Sequence, residues 1–227
     1  MIDKGDQMKT GKLIVIESGT DSSGKATQSN LLVERLQKAG RKVKKIEFPN
    51  YSSNASYPVQ MYLQGEFGKD PDDVNAYAAS TFFAVDRCAS YLKDWREFYQ
   101  DGGIIIADRY TTSNMVHQGS KMHNKKERNE YLAWLADLEY DKIGLPRPDL
   151  VVFLNVDPNI AIKLMDTRNR KKDIHELDTD HLIASYKTAC DIAHEQEWVW
   201  VDCTKSNQMR SIEDISEDIY KSVIEVL

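Results

Sequence analysis

The sequence predicts an α/β fold in which a five-stranded parallel sheet is covered by helices on both faces. Three observations carry this. Five short apolar runs alternate with segments of helical spacing. Most of those runs are continuously apolar, as buried parallel strands are, and "KVKKIEF" (42–48) alternates. The first run leads through a glycine-bearing turn, "GTDSSGK" at 19–25, directly into a helical segment.

Taken in order, "KLIVIE" (12–17) is the first strand. Residues 25–39 follow with Leu31, Leu32, Val33 and Leu36 at helical spacing, and Gly40 supplies a stop. "KVKKIEF" (42–48) is the second strand, ended by Pro49. Residues 57–68 read as a short helix running into a loop. Residues 71–100 read as one long helical stretch, opened by Pro71 with Asp72 and Asp73 in its first turn. "GGIIIA" (102–107) is a buried third strand, and 126–142 another helix. "DLVVFLNV" (149–156) is the fourth strand, with "PNIAIKLMDTR" helical behind it. Residues 181–196 are helical, "EWVWVDC" (197–203) is the fifth strand, and "SIEDISEDIYKSVIEV" closes the chain as a helix. No repeat, low-complexity tract or linker interrupts the 227 residues, which predicts a single domain over 1–227. The charged stretch 168–180 holds few apolar residues and reads as a mobile loop.

The bulk numbers narrow the function classes. A net charge of −6 argues against a long nucleic acid as partner. A small polyanion needs only local clusters, and "RNRKK" (168–172) and "DRY" (108–110) supply two. No apolar run approaches a membrane span, and the first residues lack the apolar core of a secretion signal. Cys88, Cys190 and Cys203 lack metal spacing, and their odd, sparse count fits a reducing compartment, so the cytoplasm is expected.

Gly19, Gly24 and Lys25 satisfy the pattern G-x-x-x-x-G-K, with a strand before and a helix after. Glycines let the backbone curl so that its N–H groups face a phosphate, and the helix N-terminus adds partial positive charge. Lys25 supplies a full charge to the outer phosphates. The expected loop comprises Gly19, Asp21, Ser22, Ser23, Gly24, Lys25, Ala26 and Thr27. Ala26 stands where a Ser or Thr normally places its hydroxyl on Mg²⁺. Mg²⁺ keeps several waters readily, so a working loop with a more water-bound metal is expected. Thr27 leaves the helix in another direction.

Further along, Phe83 and Arg87 in "FFAVDR" are four apart on a helix and face the same way, a ring and a planar donor fork. Asp108 and Arg109 follow a buried strand, at the end where open α/β sheets place ligands. "IVIESGTDSSGKATQ", "FP" (48–49), "FFAVDR" (82–87), "DRYTTS" (108–113), "LVVFLNVDP" (150–158) and "VDCTKSNQMRSIEDISEDI" (201–219), in this order, resemble the thymidylate kinase family. The resemblance covers the chain after about residue 11. It implies a P-loop NTPase-like, nucleoside-monophosphate-kinase fold, ATP and Mg²⁺, phosphorylation of dTMP to dTDP for dTTP synthesis, and a homodimer.

Residue by residue, the resemblance implies that Asp21 lies near the dTMP sugar and that Phe83 stacks on thymine. Arg87 would hydrogen-bond the base and Ser113 line its pocket. Phe48 and Tyr51 would flank dTMP, Tyr51 standing where some members carry an arginine. Asp108 would lie at the metal, Arg109 would hold the phosphates at the transfer point, and 168–178 would be the lid. Ser22 and Ser23 stand where some members carry a loop arginine, so the missing charge is expected from Arg168 or Arg170. Ser18 is an extra residue between Glu17 and Gly19. A phosphate nucleophile with a second pKa of about 6 is already ionised at neutral pH, so no strong base is needed. Two alternatives stay open: a P-loop kinase for another nucleotide or nucleoside, and a nucleotide-binding protein that has lost catalysis, which Ala26 favours. Against a nucleoside kinase, the usual Glu-Arg-Ser is absent and "DRY" stands instead.

Overall fold

The computed structural model describes residues 10–20, 22–167 and 179–227. Strands β1 (Lys12–Ser18), β2 (Val43–Glu47), β3 (Ile104–Asp108), β4 (Leu150–Asn155) and β5 (Val199–Asp202) form one parallel sheet in the order β2-β3-β1-β4-β5. The chain runs to one side of β1 for β2 and β3 and to the other for β4 and β5. The order reverses at β1, and the crevice at its carboxyl end is the ligand position of such sheets.

Side chains alternate between two buried layers. Ile14, Ile16, Ile104, Ile106, Val152 and Leu154 pack against Leu32 and Leu36 of α1 (Lys25–Lys38) and Ile215, Ile219 and Val223 of the last helix (Ile212–Ile224). Leu13, Val15, Ile105 and Ala107 face Trp95, Tyr110 and Tyr140 on the other side. Burial on both faces is why the central strands β1, β3 and β4 read as apolar runs, whereas the edge strand β2, VKKIE, is mostly half-buried.

The remaining helices are α2 (Tyr57–Leu63), α3 (Ala76–Ser90), α4 (Arg96–Gln100), α5 (Thr111–His117), α6 (Lys125–Ala136), α7 (Pro158–Thr167) and α8 (Thr179–Glu195), with Ile212–Ile224 as α9. Among the described residues none is long and apolar enough to cross a membrane. Three features depart from the sequence reading. The 71–100 stretch is not one helix. Pro71–Asp73 form a single 3₁₀ turn capped by Asp70, Val74 is extended, and Asn75 accepts a hydrogen bond from Ala78 N to start α3. A five-residue π turn, Tyr91–Trp95, then joins α3 to α4. A second π turn, Asp137–Lys142, continues α6. Helix α5 and the hairpin Thr204–Lys205/Gln208–Met209 were not foreseen. Ser206 and Asn207, at φ 51° and 63°, make the hairpin's two-residue turn.

Candidate active site

The loop after β1 curls through left-handed positions at Ser22 (φ 58°) and Gly24 (φ 89°), which turn successive N–H groups toward one concavity. Gly24 is the N-cap of α1 and provides no side-chain cap, so the helix amides stay available to an anion. Gly19 has a different task from the one its motif suggests. A Cβ built there would lie 2.9 Å from Ala189 Cβ and 3.0 Å from Tyr186 Cα, so the glycine lets α8 press against the loop backbone.

Lys25 is 7% exposed. Its ammonium donates to Ser18 Oγ (2.6 Å), Thr20 O (3.1 Å) and Ser23 Oγ (3.3 Å). Ser18 Oγ also accepts from Ser23 Oγ (2.8 Å) and donates to Thr20 O (2.6 Å). The strand is regular through Ser18, which is the last residue of β1 and lies opposite Leu154. Ser18 adds a fully buried hydroxyl to the cradle of the lysine. Ala26 and Thr27 are exposed on the first turn of α1. Asp21 lies outside the described residues, as do Arg168, Arg170 and the whole lid segment 168–178.

The second part of the site is the turn after β3. Ile16 of β1 is opposite Asp108, and Arg109 N donates to Ile16 O (3.2 Å). The turn thus sits beside the start of the phosphate loop. Arg109 takes φ 68°, a left-handed conformation uncommon for a side chain of this size. One of its guanidinium nitrogens lies 3.1 Å from His117 Nε2 at the end of α5. Asp108 is 8% exposed. Glu17, fully buried beside it on β1, accepts from Ser18 N (2.9 Å), Thr112 Oγ1 (2.7 Å) and Ser113 Oγ (2.6 Å). Ser113, expected in the base pocket, therefore has its hydroxyl on Glu17.

The acceptor side is built by α2, α3 and the 48–51 turn. Phe48 is buried against Tyr110, with ring centroids 6.2 Å apart, and precedes a cis Pro49. Asn50 N donates to Asp86 Oδ2 (2.8 Å), and burial, opposed by that hydrogen bond and by Arg87, pushes the Asp86 carboxyl up. Tyr51 is 54% exposed. Phe83 is half-buried and meets Tyr62 edge-on at 6.3 Å.

Arg87 is where the structure changes the expectation most. Instead of offering an open fork beside Phe83, it is 1% exposed and paired with Glu139, which is fully buried. Nε donates to Oε2 and Nη2 to Oε1, both at 2.6 Å, and Nη1 donates to Tyr110 O at 3.3 Å. Burial works against its charge, and the Glu139 carboxylate more than offsets it, so the Arg87 pKa is raised. Glu139, Glu17 and the Ser18 hydroxyl escaped the sequence reading. Glu17 and Glu139 find their partners far along the chain, and only acidic side chains in otherwise apolar surroundings hint at them. A cavity of about 750 Å³, lined by Met115, Leu132, Tyr140, Pro148, Leu150 and Trp198 among others, opens at the amino ends of β4 and β5, away from this site.

A parallel sheet with a phosphate loop at its reversal point, and an Asp-Arg turn beside that loop with its aspartate buried, define a P-loop nucleotide-binding protein. The family profile described as thymidylate kinase matches residues 16–219. A thymidylate kinase of Plasmodium falciparum is 32% identical over 97% of this chain and 93% of its own length. The human thymidylate kinase is 30% identical over 93% of this chain and 89% of its own. The solved structure of thymidylate kinase from Candida albicans superposes with a TM-score of 0.71 over 95% of this chain and 92% of that one, at 22% identity, which speaks to the fold. The chain belongs to the thymidylate kinase family.

Proposed function

We propose that this chain transfers the γ-phosphoryl group of ATP to dTMP, giving dTDP and ADP, and so serves dTTP synthesis. The observation that carries the reading is the hydrogen bond from Arg109 N to Ile16 O, which sets the Asp108–Arg109 turn against the strand that feeds the phosphate loop. A cation from the loop and a cation from the turn then flank one crevice, as in-line transfer between two phosphates demands. The loop amides and Lys25 hold the donor phosphates, and Arg109 holds the acceptor phosphate against them. Phe83 covers the face of the base, Phe48 and Tyr51 flank the acceptor, and Ser113 and Asp21 complete its surroundings. Arg168 or Arg170 brings the remaining charge from a lid over 168–178 in an otherwise single 1–227 unit.

The residues suit Mg²⁺ held mainly by water and substrate oxygens. Among the described residues there is no group of three or more possible metal ligands, Ala26 offers no oxygen, and Asp108 offers a carboxylate at the strand end. Asp108 would hold the ion or its waters, and the ion would supply neutralising charge between phosphates. A homodimer is supported by Tyr77, Val85 and Leu92, eight and seven residues apart along α3 and its π continuation, which are 40%, 53% and 53% exposed. The free cysteines support a cytoplasmic setting.

The test is ADP release from ATP and Mg²⁺ with dTMP, dUMP, dCMP, dGMP, UMP and thymidine offered separately. Turnover with dTMP well above the rest is expected. Ala26 favours a second reading, nucleotide binding without transfer. Silence with every acceptor from folded, ATP-binding protein would put that reading first.

A further inference from the structure

The Arg87–Glu139 pair lies on no surface and is poorly explained by stability. A buried ion pair of this kind is about as stable as two well-packed apolar side chains of the same volume. What an apolar pair could not do is fix a guanidinium plane. Glu139 takes Nε and Nη2 side-on, and its Oε2 also accepts from Thr111 Oγ1 at 2.8 Å. The remaining bond runs from Nη1 to the carbonyl of Tyr110, the residue that follows Arg109. Three elements therefore meet at one ion pair: α3, which carries Arg87 and Phe83; the 108–110 turn, through Tyr110 O on Arg87; and the first residue of α5, through Thr111 on Glu139.

The backbone is shaped around this meeting point. Glu139 sits in the π turn Asp137–Lys142, where Ile143 N bonds to Leu138 O, five residues back. The widened turn rotates the side chains that follow it relative to a regular helix, and turns of this type recur at functional sites. Here the rotated segment delivers a charged residue to 0% exposure.

We propose that Glu139 is a positioning residue for the acceptor nucleotide. It locks the Arg87 plane, so that only donors left on Nη1 and Nη2 can meet the base. Through Tyr110 O and Thr111 it ties that plane to the turn carrying Asp108 and Arg109. Recognition of the base is in this way registered at the transfer point. The proposal rests on the dTMP kinase reading, and wild-type protein assayed in parallel separates the two.

Steady-state kinetics of Glu139→Gln and Thr111→Val, with dTMP and ATP varied in turn, tests it. Glu139→Gln keeps size and loses the carboxylate. A plane displaced by an ångström lowers kcat/KM for dTMP by about 100-fold, with KM raised and kcat reduced together. KM for ATP stays within about twofold of wild type, because the loop is not touched. Thr111→Val removes one bond and leaves the ion pair, so it raises KM for dTMP by a smaller factor, and it decides the matter if Glu139→Gln loses its near-UV circular dichroism. A purely structural role would lower the melting temperature and leave KM for dTMP unchanged in folded protein. That result in both variants, or in Thr111→Val when Glu139→Gln is unfolded, overturns the proposal. Wild type that turns over no dTMP overturns the kinase reading and this inference together.

Discussion

Lys25 Nζ lies 2.6 Å from Ser18 Oγ, a hydroxyl on the last residue of β1. The ammonium also donates to Thr20 O and Ser23 Oγ of the loop, whereas Ser18 belongs to β1 itself. The strand end thus shares with the curled loop the anchoring of this charge.

Ser18→Ala is therefore expected to weaken ATP more than dTMP. A hydrogen bond to a charged group contributes about 1.5 kcal/mol, so KM for ATP rises about tenfold while KM for dTMP holds. Equal KM values for ATP in wild type and variant would show that Thr20 O and Ser23 Oγ suffice.

Arg109 separates activity from stability. Its left-handed backbone costs about 1 kcal/mol in a residue with a Cβ, and glycine removes that cost. Arg109→Gly is expected to melt no lower than Arg109→Ala, while both lose about 100-fold or more in kcat through loss of the guanidinium. Near-normal turnover in either variant would remove Arg109 from the transfer point.

Ala26→Thr restores a hydroxyl on the exposed first turn of α1. The expected result is half-maximal activity at lower Mg²⁺, with kcat equal or higher, read from a Mg²⁺ titration at saturating ATP. Identical titrations would mean that water fills the ligand position equally well.

Lys121 gives a pH signature. Its ammonium is held by Tyr62 Oη, Pro71 O and Val74 O beneath the acceptor side. Burial, partly countered by Asp72 and Asp70, lowers its pKa from 10.5 to about 8. Between these values the unfolded chain binds more protons at this site than the folded one, so the site's contribution to stability increases as pH rises through that window. Urea midpoints of wild type minus Lys121→Met should grow between pH 7 and pH 10. A difference independent of pH would contradict the burial.

The sheet is legible because its three central strands, β3, β1 and β4, are buried on both faces and stand out as runs of Ile, Val and Leu. Lys25, Asp108 and Arg109 were legible for a related reason: each lies within a few residues of a strand end, and local spacing carries the message. Helix α5 was not. Its buried residues Thr111, Thr112 and Asn114 satisfy themselves through Glu139, Glu17 and Ser80 O, so polar side chains occupy positions where a hydrophobic period would be sought. Arg87 is legible as a residue on the face of Phe83, but its pairing is not, because a carboxylate 52 residues away sets the plane of its fork. Gly19 was found for the loop it bends, whereas its contact with α8 depends on packing that no motif encodes.

That contact has a mechanical consequence. With Ala189 and Tyr186 seated where a Cβ of Gly19 would be, the phosphate loop and α8 share a surface with no slack. Helix α8 opens at Thr179, immediately after the segment to which the lid is assigned. Gly19→Ala would drive a methyl into that surface, so the loop and α8 would have to move apart, and the concavity that the loop amides form would move with them.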